Sequence, residues 1–351
     1  MAKQDFDITR GIFWFFIRFG EKPGGAIWLI FVQALCALGL LALSVMVMGP
    51  AYINLIQLAE SDAAGALSEA ETVRLVFDTL LPFLSYGFLI IPIGILFAVM
   101  FQAAWLRFLT KGEIKPVIPL RLGADEIRLI GVNLLYIVIA FVAYFGLAAV
   151  LGVFGFGAAV MFHGGGSHAD FGLEAGVLIV LGVLGILVGA TILAIRLATA
   201  PALTVLDGRL RFFESWEATN GVFWHMLLTY VVVWALLAIG GSILSGIVQL
   251  AVLAAFLPTI IEFVDIAEQG QHVDPDVALA TLQAWISEPL TIVSLLIGFG
   301  VLYVVQVLFE AVWHSVGAYN AVRARSGGEG EAADVPTLAA DHPMGASPTE
   351  G

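Results

Sequence analysis

The sequence predicts an all-α polytopic membrane protein with six transmembrane helices, and three observations carry that prediction. Of its 351 residues 60% are hydrophobic and 12% charged, with a mean hydropathy of +0.99, well above the apolar share of a soluble domain. Six apolar runs reach the roughly 20 residues that a helix needs to cross a hydrocarbon core of about 30 Å. Basic residues cluster at the termini and at alternate connections between those runs, the pattern that positively charged cytoplasmic loops impose.

The runs lie near Ala26 to Gly49, Leu80 to Leu106, Ile130 to Val153, Gly176 to Leu197, Phe223 to Phe256 and Leu290 to Trp313. The first starts too late and runs too long for a cleaved signal peptide, so a retained span is expected. Pro82 and Pro92 interrupt the second. Gly182, Gly185 and Gly189 give the fourth a smooth stripe suited to close helix contact, and Gly240–Gly241 could mark a bend in the long fifth.

Lys3, Arg10, Arg18 and Lys22 precede span one. Arg107, Lys111, Lys115, Arg121 and Arg128 flank the second connection, Arg196, Arg209 and Arg211 the fourth, and Arg323 and Arg325 follow span six; Arg74 is the exception. The odd connections carry acids instead, including Glu60, Asp62, Glu69, Glu71, Asp170, Glu262, Asp265, Glu268, Asp274 and Asp276. Both termini are therefore expected in the cytoplasm of a cell with a plasma (inner) membrane, and a bacterial cell is the expected setting.

Three domains follow: a cytoplasmic interfacial segment over 1–25, a six-span membrane domain over 26–325, and an acidic tail over 326–351. The tail is rich in small residues, proline and acid, and is expected to be disordered. The segments "FDITRGIFWFFIRFG", "PLRLGADEIRLIG" and "GRLRFFESWEATNG" precede spans one, three and five. Each alternates charge with large apolar residues, as a helix lying in the interface would. Three repeated helical hairpins are one reading; recurrence of interface composition is the other. In the outer connection 258–289, Asp274 and Pro275 suit the start of a short surface helix.

The formal charge of −13 argues against nucleic acid as a partner. Cys36 is the single cysteine, so neither a disulfide framework nor a cysteine metal cluster is expected, and Leu35 before it does not fit a lipoprotein cleavage site. No catalytic triad, nucleotide loop or zinc-protease pattern appears, so neither an enzyme nor a bound cofactor is expected. His163, His168 and Asp170, with His272 on another outer loop, are either ligands that approach one metal ion or a solvated loop; they match no standard ligand spacing, so the solvated loop is the expectation, and His225 and His314 read as interface residues.

Four charges stand at or near membrane depth. Arg196 ends span four, where it is either a snorkelling anchor or the interspan partner of Glu310, the carboxylate inside span six; Arg107 is the competing partner. Asp78, near the outer end of span two, is either an interfacial cap or part of an ion pathway. Gln33, Gln102, Asn133, Gln249 and Gln306 are expected to hydrogen-bond between spans. After Arg196, Pro201 stops or kinks the helix and Asp207–Gly208 makes a turn. The stretch "RLRFFESWEATN" then forms a helix with Leu210, Phe213 and Trp216 at the interface, completing a structured cytoplasmic elbow.

Arg196, Pro201, Ser215, Trp216 and Gly221 mark this stretch, and "FEAVWHSVGAYNAVR", with Tyr319, closes span six. With these positions, residues 190 to 325 resemble a broad family of six-span bacterial membrane proteins of uncharacterised function, related to the membrane domain of some glycerophosphodiester phosphodiesterases. The resemblance implies a helical inner-membrane module associated with envelope lipids. No phosphodiesterase domain follows Arg325, so that activity is not expected. The function expected is an accessory or scaffold module of the envelope or a lipid-handling protein, with a transporter of a small solute or lipid as the alternative. Membrane lipids are the expected partners, with a membrane protein or a second copy of the chain as further possibilities.

Overall fold

The computed structural model describes residues 6–64, 68–114, 120–163, 169–268 and 289–326. Among them no strand occurs, and six helices are long and apolar enough to cross a membrane. These spans cover Pro23–Tyr52, Val73–Lys111, Ala124–Val153, Ile179–Asp207, Phe223–Ala254 and Val293–Arg325. The protein is an all-α, multi-pass membrane protein. The expected outer helix near Asp274, the acidic tail beyond Ser326, and His168 and His272 lie outside the described residues, as do the side chains of His163 and Asp170.

Helix α1, Ile8–Glu21, is capped by Asp7, whose carboxylate accepts from the backbone N–H of Arg10. It precedes α2, Pro23–Ala64. At about 1.5 Å per residue the 42 residues of α2 rise roughly 63 Å, so the helix continues well past the hydrocarbon. Span two is built from α3, Glu69–Ser85, a π-helical turn, Tyr86–Ile90, and α4, Ile91–Lys111. Pro92 has no N–H to return to the preceding turn, and a widened π turn just before it is one way a helix absorbs that loss.

Helices α5, Ala124–His163, and α6, Ala169–Leu197, form the second hairpin. Two short helices follow, α7, Ala200–Asp207, and α8, Glu214–Ala218, before α9, Phe223–Glu268, and α10, Pro289–Arg325. Helix α9 runs unbroken through Gly240–Gly241. There the absent side chain admits Phe309 of α10, since a Cβ on Gly241 would stand 2.5 Å from the ring. Of the stripe in α6, Gly182 lies against Val150 of α5, whereas Gly185 and Gly189 face open space.

Consecutive spans pair as hairpins: α2 with α3, α5 with α6, and α9 with α10. The segments before them differ. The first is the full helix α1, which packs on α9, α10 and α4 and leaves Phe13, Phe16 and Ile17 outward. The second holds no helix between residue 120 and the start of α5. The third is helical only over α8, because the N–H of Arg211 donates to Thr204 Oγ1 and turns the chain back onto α7.

Burial is unequal along the bundle. Buried side chains concentrate in residues 99–109, 195–205 and 311–321, the ends of α4 and α10, which meet α1 and α7, together with the end of α6 and α7 itself. We call this the terminal end. Elsewhere the spans present broad apolar faces, including Phe141, Val142 and Phe145 on α5.

Candidate functional site

The terminal end is organised around the elbow between α6 and α9. Helix α6 ends at Leu197, and Pro201, in the first turn of α7, starts a new helix rather than kinking the old one, as suits a residue with fixed φ and no N–H. Gly208 closes α7 at φ 61 and Gly221 turns the chain into α9 at φ 84, left-handed backbone that favours glycine. Ser215 Oγ donates to the Arg196 carbonyl at 2.8 Å, satisfying an acceptor that the end of α6 would otherwise leave open. Leu210, Phe213 and Trp216 are exposed, as expected of the interface.

Helix α10 locks this elbow. Gly317 lies so close to the Ala198 carbonyl that a Cβ would meet the oxygen at 2.5 Å. One turn on, Asn320 Nδ2 donates to Thr199 Oγ1 at 2.9 Å and to the Ala218 carbonyl at 3.3 Å. Arg323 clamps Asn320 Oδ1 through Nε and Nη2 at 3.0 and 2.9 Å. Arg325 pairs with Asp207, which also binds Arg211 at 3.1 Å. Tyr319 packs its ring against Phe6 and Trp14, tying α1 to the same place.

A second cluster joins α4 to the start of α5. Arg107 Nη1 donates to Glu126 at 2.5 Å, and Glu126 is fully buried at 0% exposure and also accepts from the Gly123 N–H at 2.9 Å. Asp125 binds Arg121 at 3.2 Å and Arg128 at 3.0 Å. Arg18, at 2% exposure, sends Nε to the Leu109 carbonyl, which Trp14 Nε1 also reaches, while Lys22 Nζ caps the Gly112 carbonyl. Arg18 of α1 and Lys22 just after it thus satisfy carbonyls at and just beyond the end of α4.

The third group lies among α2, α4 and α10. Trp105 Nε1 donates to Gln33 Oε1 at 2.8 Å, Gln33 Nε2 to Glu310 at 3.4 Å, and His314 Nε2 lies 3.9 Å from the other Glu310 oxygen. Glu310 and His314 thus form an ionisable pair within the sixth span.

Neither family models nor curated proteins nor solved structures match the chain. The site is therefore read from its own geometry.

That geometry separates the charges which the sequence brings into question together. Among the described residues no ion pair joins Arg196 and Glu310. Arg107 takes Glu126, Glu310 takes Gln33 and His314, and Arg196 lies 5.2 Å from the rings of both Trp216 and Phe223. Asp78 is exposed on α3, within 3.8 Å of Arg74 on the same helix face. Of the amides, Gln33 and Gln102 bond between spans, the latter accepting from Asn133 Nδ2 at 2.8 Å. Gln249 bonds Ser245 on its own helix, and Gln306 is exposed.

The residues that sequence reasoning passed over are Asn320, Thr199, Gly317 and Glu126. Each left a faint signal: Asn320 is a lone amide among small residues near the end of span six, and Glu126 stands in the first turn of the helix that enters span three.

Proposed function

We propose that this chain is an integral plasma-membrane module without a catalytic domain, an accessory or scaffold protein of the envelope that engages membrane lipid. The terminal end faces the cytoplasm in this reading, because the basic residues gathered there follow the positive-inside bias. The supporting observation is how the polar groups are used. Arg18, Arg107, Glu126, Asn320 and Arg323 tie helices together at the terminal end, while the apolar faces of the spans stay available to lipid or to a membrane-protein partner. The resemblance across residues 190 to 325 points the same way, since the elbow positions that carry it hold the fold together.

A second reading, a transporter coupled to protons or a small solute, draws on Gln33, Glu310 and His314, because ionisable groups at membrane depth commonly mark ion pathways. The two separate in proteoliposomes carrying an internal pH dye. Under an imposed pH gradient the scaffold reading expects equal proton leak from the wild-type protein, Glu310→Gln and empty vesicles. Proton flux above that background, abolished by Glu310→Gln, would establish transport instead.

A further inference from the structure

An apolar groove of about 530 Å³ opens between α6 and α9, lined by Leu187, Val188, Thr191 and Ile192 on one side and Phe223 and Leu227 on the other. Arg196 closes one end, beside the exposed ring of Trp224. From Leu187 to Arg196 the helix rises about 13 Å, close to the depth of one leaflet of a hydrocarbon core of roughly 30 Å. The charged end lies by the elbow, at the last turn of α6.

The guanidinium there is under-used. Arg107, Arg121, Arg128, Arg211 and Arg325 each have a carboxylate within 4.0 Å. Among the described residues Arg196 has none: Nη1 reaches Thr219 Oγ1 at 3.4 Å, and the buried Nε has no hydrogen-bond partner. Trp216 and Phe223 hold the group in place through their ring faces, which fixes its position without neutralising its charge.

We propose that this groove binds one anionic glycerophospholipid of the adjoining leaflet, with its phosphodiester on Arg196 and an acyl chain along α6 and α9. The chemistry of each end selects the occupant. A planar guanidinium presents paired donors to phosphate oxygens, an indole at headgroup depth suits the interface, and the remaining wall offers only apolar contact. A zwitterionic lipid would carry its own cation towards Arg196 and fit less well. The assignment deepens the lipid-engaging reading above and does not depend on which face of the membrane the elbow occupies.

The test is native mass spectrometry of the full chain in detergent, titrated with phosphatidylglycerol or phosphatidylcholine of identical acyl chains. One charge-assisted contact corresponds to a preference of about tenfold for phosphatidylglycerol, which Arg196→Gln abolishes and Arg196→Lys largely keeps. Thr191→Phe obstructs the groove without touching the charge and lowers retention of both lipids, while Arg209→Gln, at an exposed position outside the groove, changes neither. Undiminished preference in Arg196→Gln, undiminished binding in Thr191→Phe, or equal wild-type affinity for the two lipids would overturn the assignment. The wider reading fails separately, through proton flux in the vesicle experiment.

Discussion

The side chain of Asn320 donates to Thr199 Oγ1 at 2.9 Å, and neither residue has any exposed surface. Asn320 also accepts from Arg323, so one amide links the end of span six to the first turn of the elbow and holds a buried cation. Removing it takes a hydrogen-bond partner from both Thr199 and Arg323 in the interior. Asn320→Ala is expected to destabilise the protein by about 2 kcal/mol, seen as a lowered unfolding midpoint in detergent. An unchanged midpoint would mean that the contact contributes nothing.

Gly317 tests the same docking from the backbone side. A methyl group there would stand 2.5 Å from the Ala198 carbonyl oxygen, and that neighbour is main chain, which cannot swing aside. Gly317→Ala should cost roughly 1–3 kcal/mol, as overpacking does. Gly20→Ala, whose Cβ meets nothing within 4 Å, supplies the control and should leave the midpoint unchanged or slightly raised.

Arg107 and Glu126 form the most deeply buried ion pair among the described residues, with side-chain exposures of 7% and 0%. Glu126→Ala or Arg107→Ala removes the short contact and leaves the buried partner only a longer one, Arg107 to Asp125 at 3.7 Å or Glu126 to Arg121 at 4.0 Å. Either should cost about 3 kcal/mol, whereas the double replacement Arg107→Met with Glu126→Leu should cost much less. A double variant as unstable as the singles would show that the wider cluster with Arg121 and Asp125 governs stability.

The elbow should also weaken in acid. The hydrogen bond from Arg211 holds the Glu214 carboxyl below its usual value of 4.5. A carboxyl lowered in the folded state stabilises it above the unfolded pKa, and that stability is lost as pH falls through the folded value. Glu214 is partly exposed, so the effect is modest. The unfolding midpoint of the wild-type protein should fall more steeply than that of Glu214→Gln between about pH 5 and pH 3; parallel curves would remove Glu214 from the account.

The spans were legible in the sequence because bilayer crossing is a one-dimensional demand: a run either is long and apolar enough or is not. Gln33 and Asn133 were legible as interspan groups for a related reason, since a buried amide needs a partner. Pairings were harder. Arg196 and Glu310 look complementary by depth alone, yet packing gives Arg196 two aromatic rings and gives Glu310 a glutamine and a histidine. Arg107 finds its carboxylate 19 residues along the chain, across a connection whose fold no periodicity encodes. The elbow likewise departs from the continuous helix that its composition suggests, because Thr204 captures the Arg211 N–H.

The central claim is a six-span protein whose basic terminal end lies in the cytoplasm. Accessibility to a membrane-impermeant maleimide, in spheroplasts of cells carrying Cys36→Ser, tests it most directly. With Ser326→Cys added, the account predicts labelling only after permeabilisation; with Ser167→Cys instead, it predicts labelling of intact spheroplasts. Labelling of Ser326→Cys in intact spheroplasts, with Ser167→Cys protected, would invert the topology and contradict the claim.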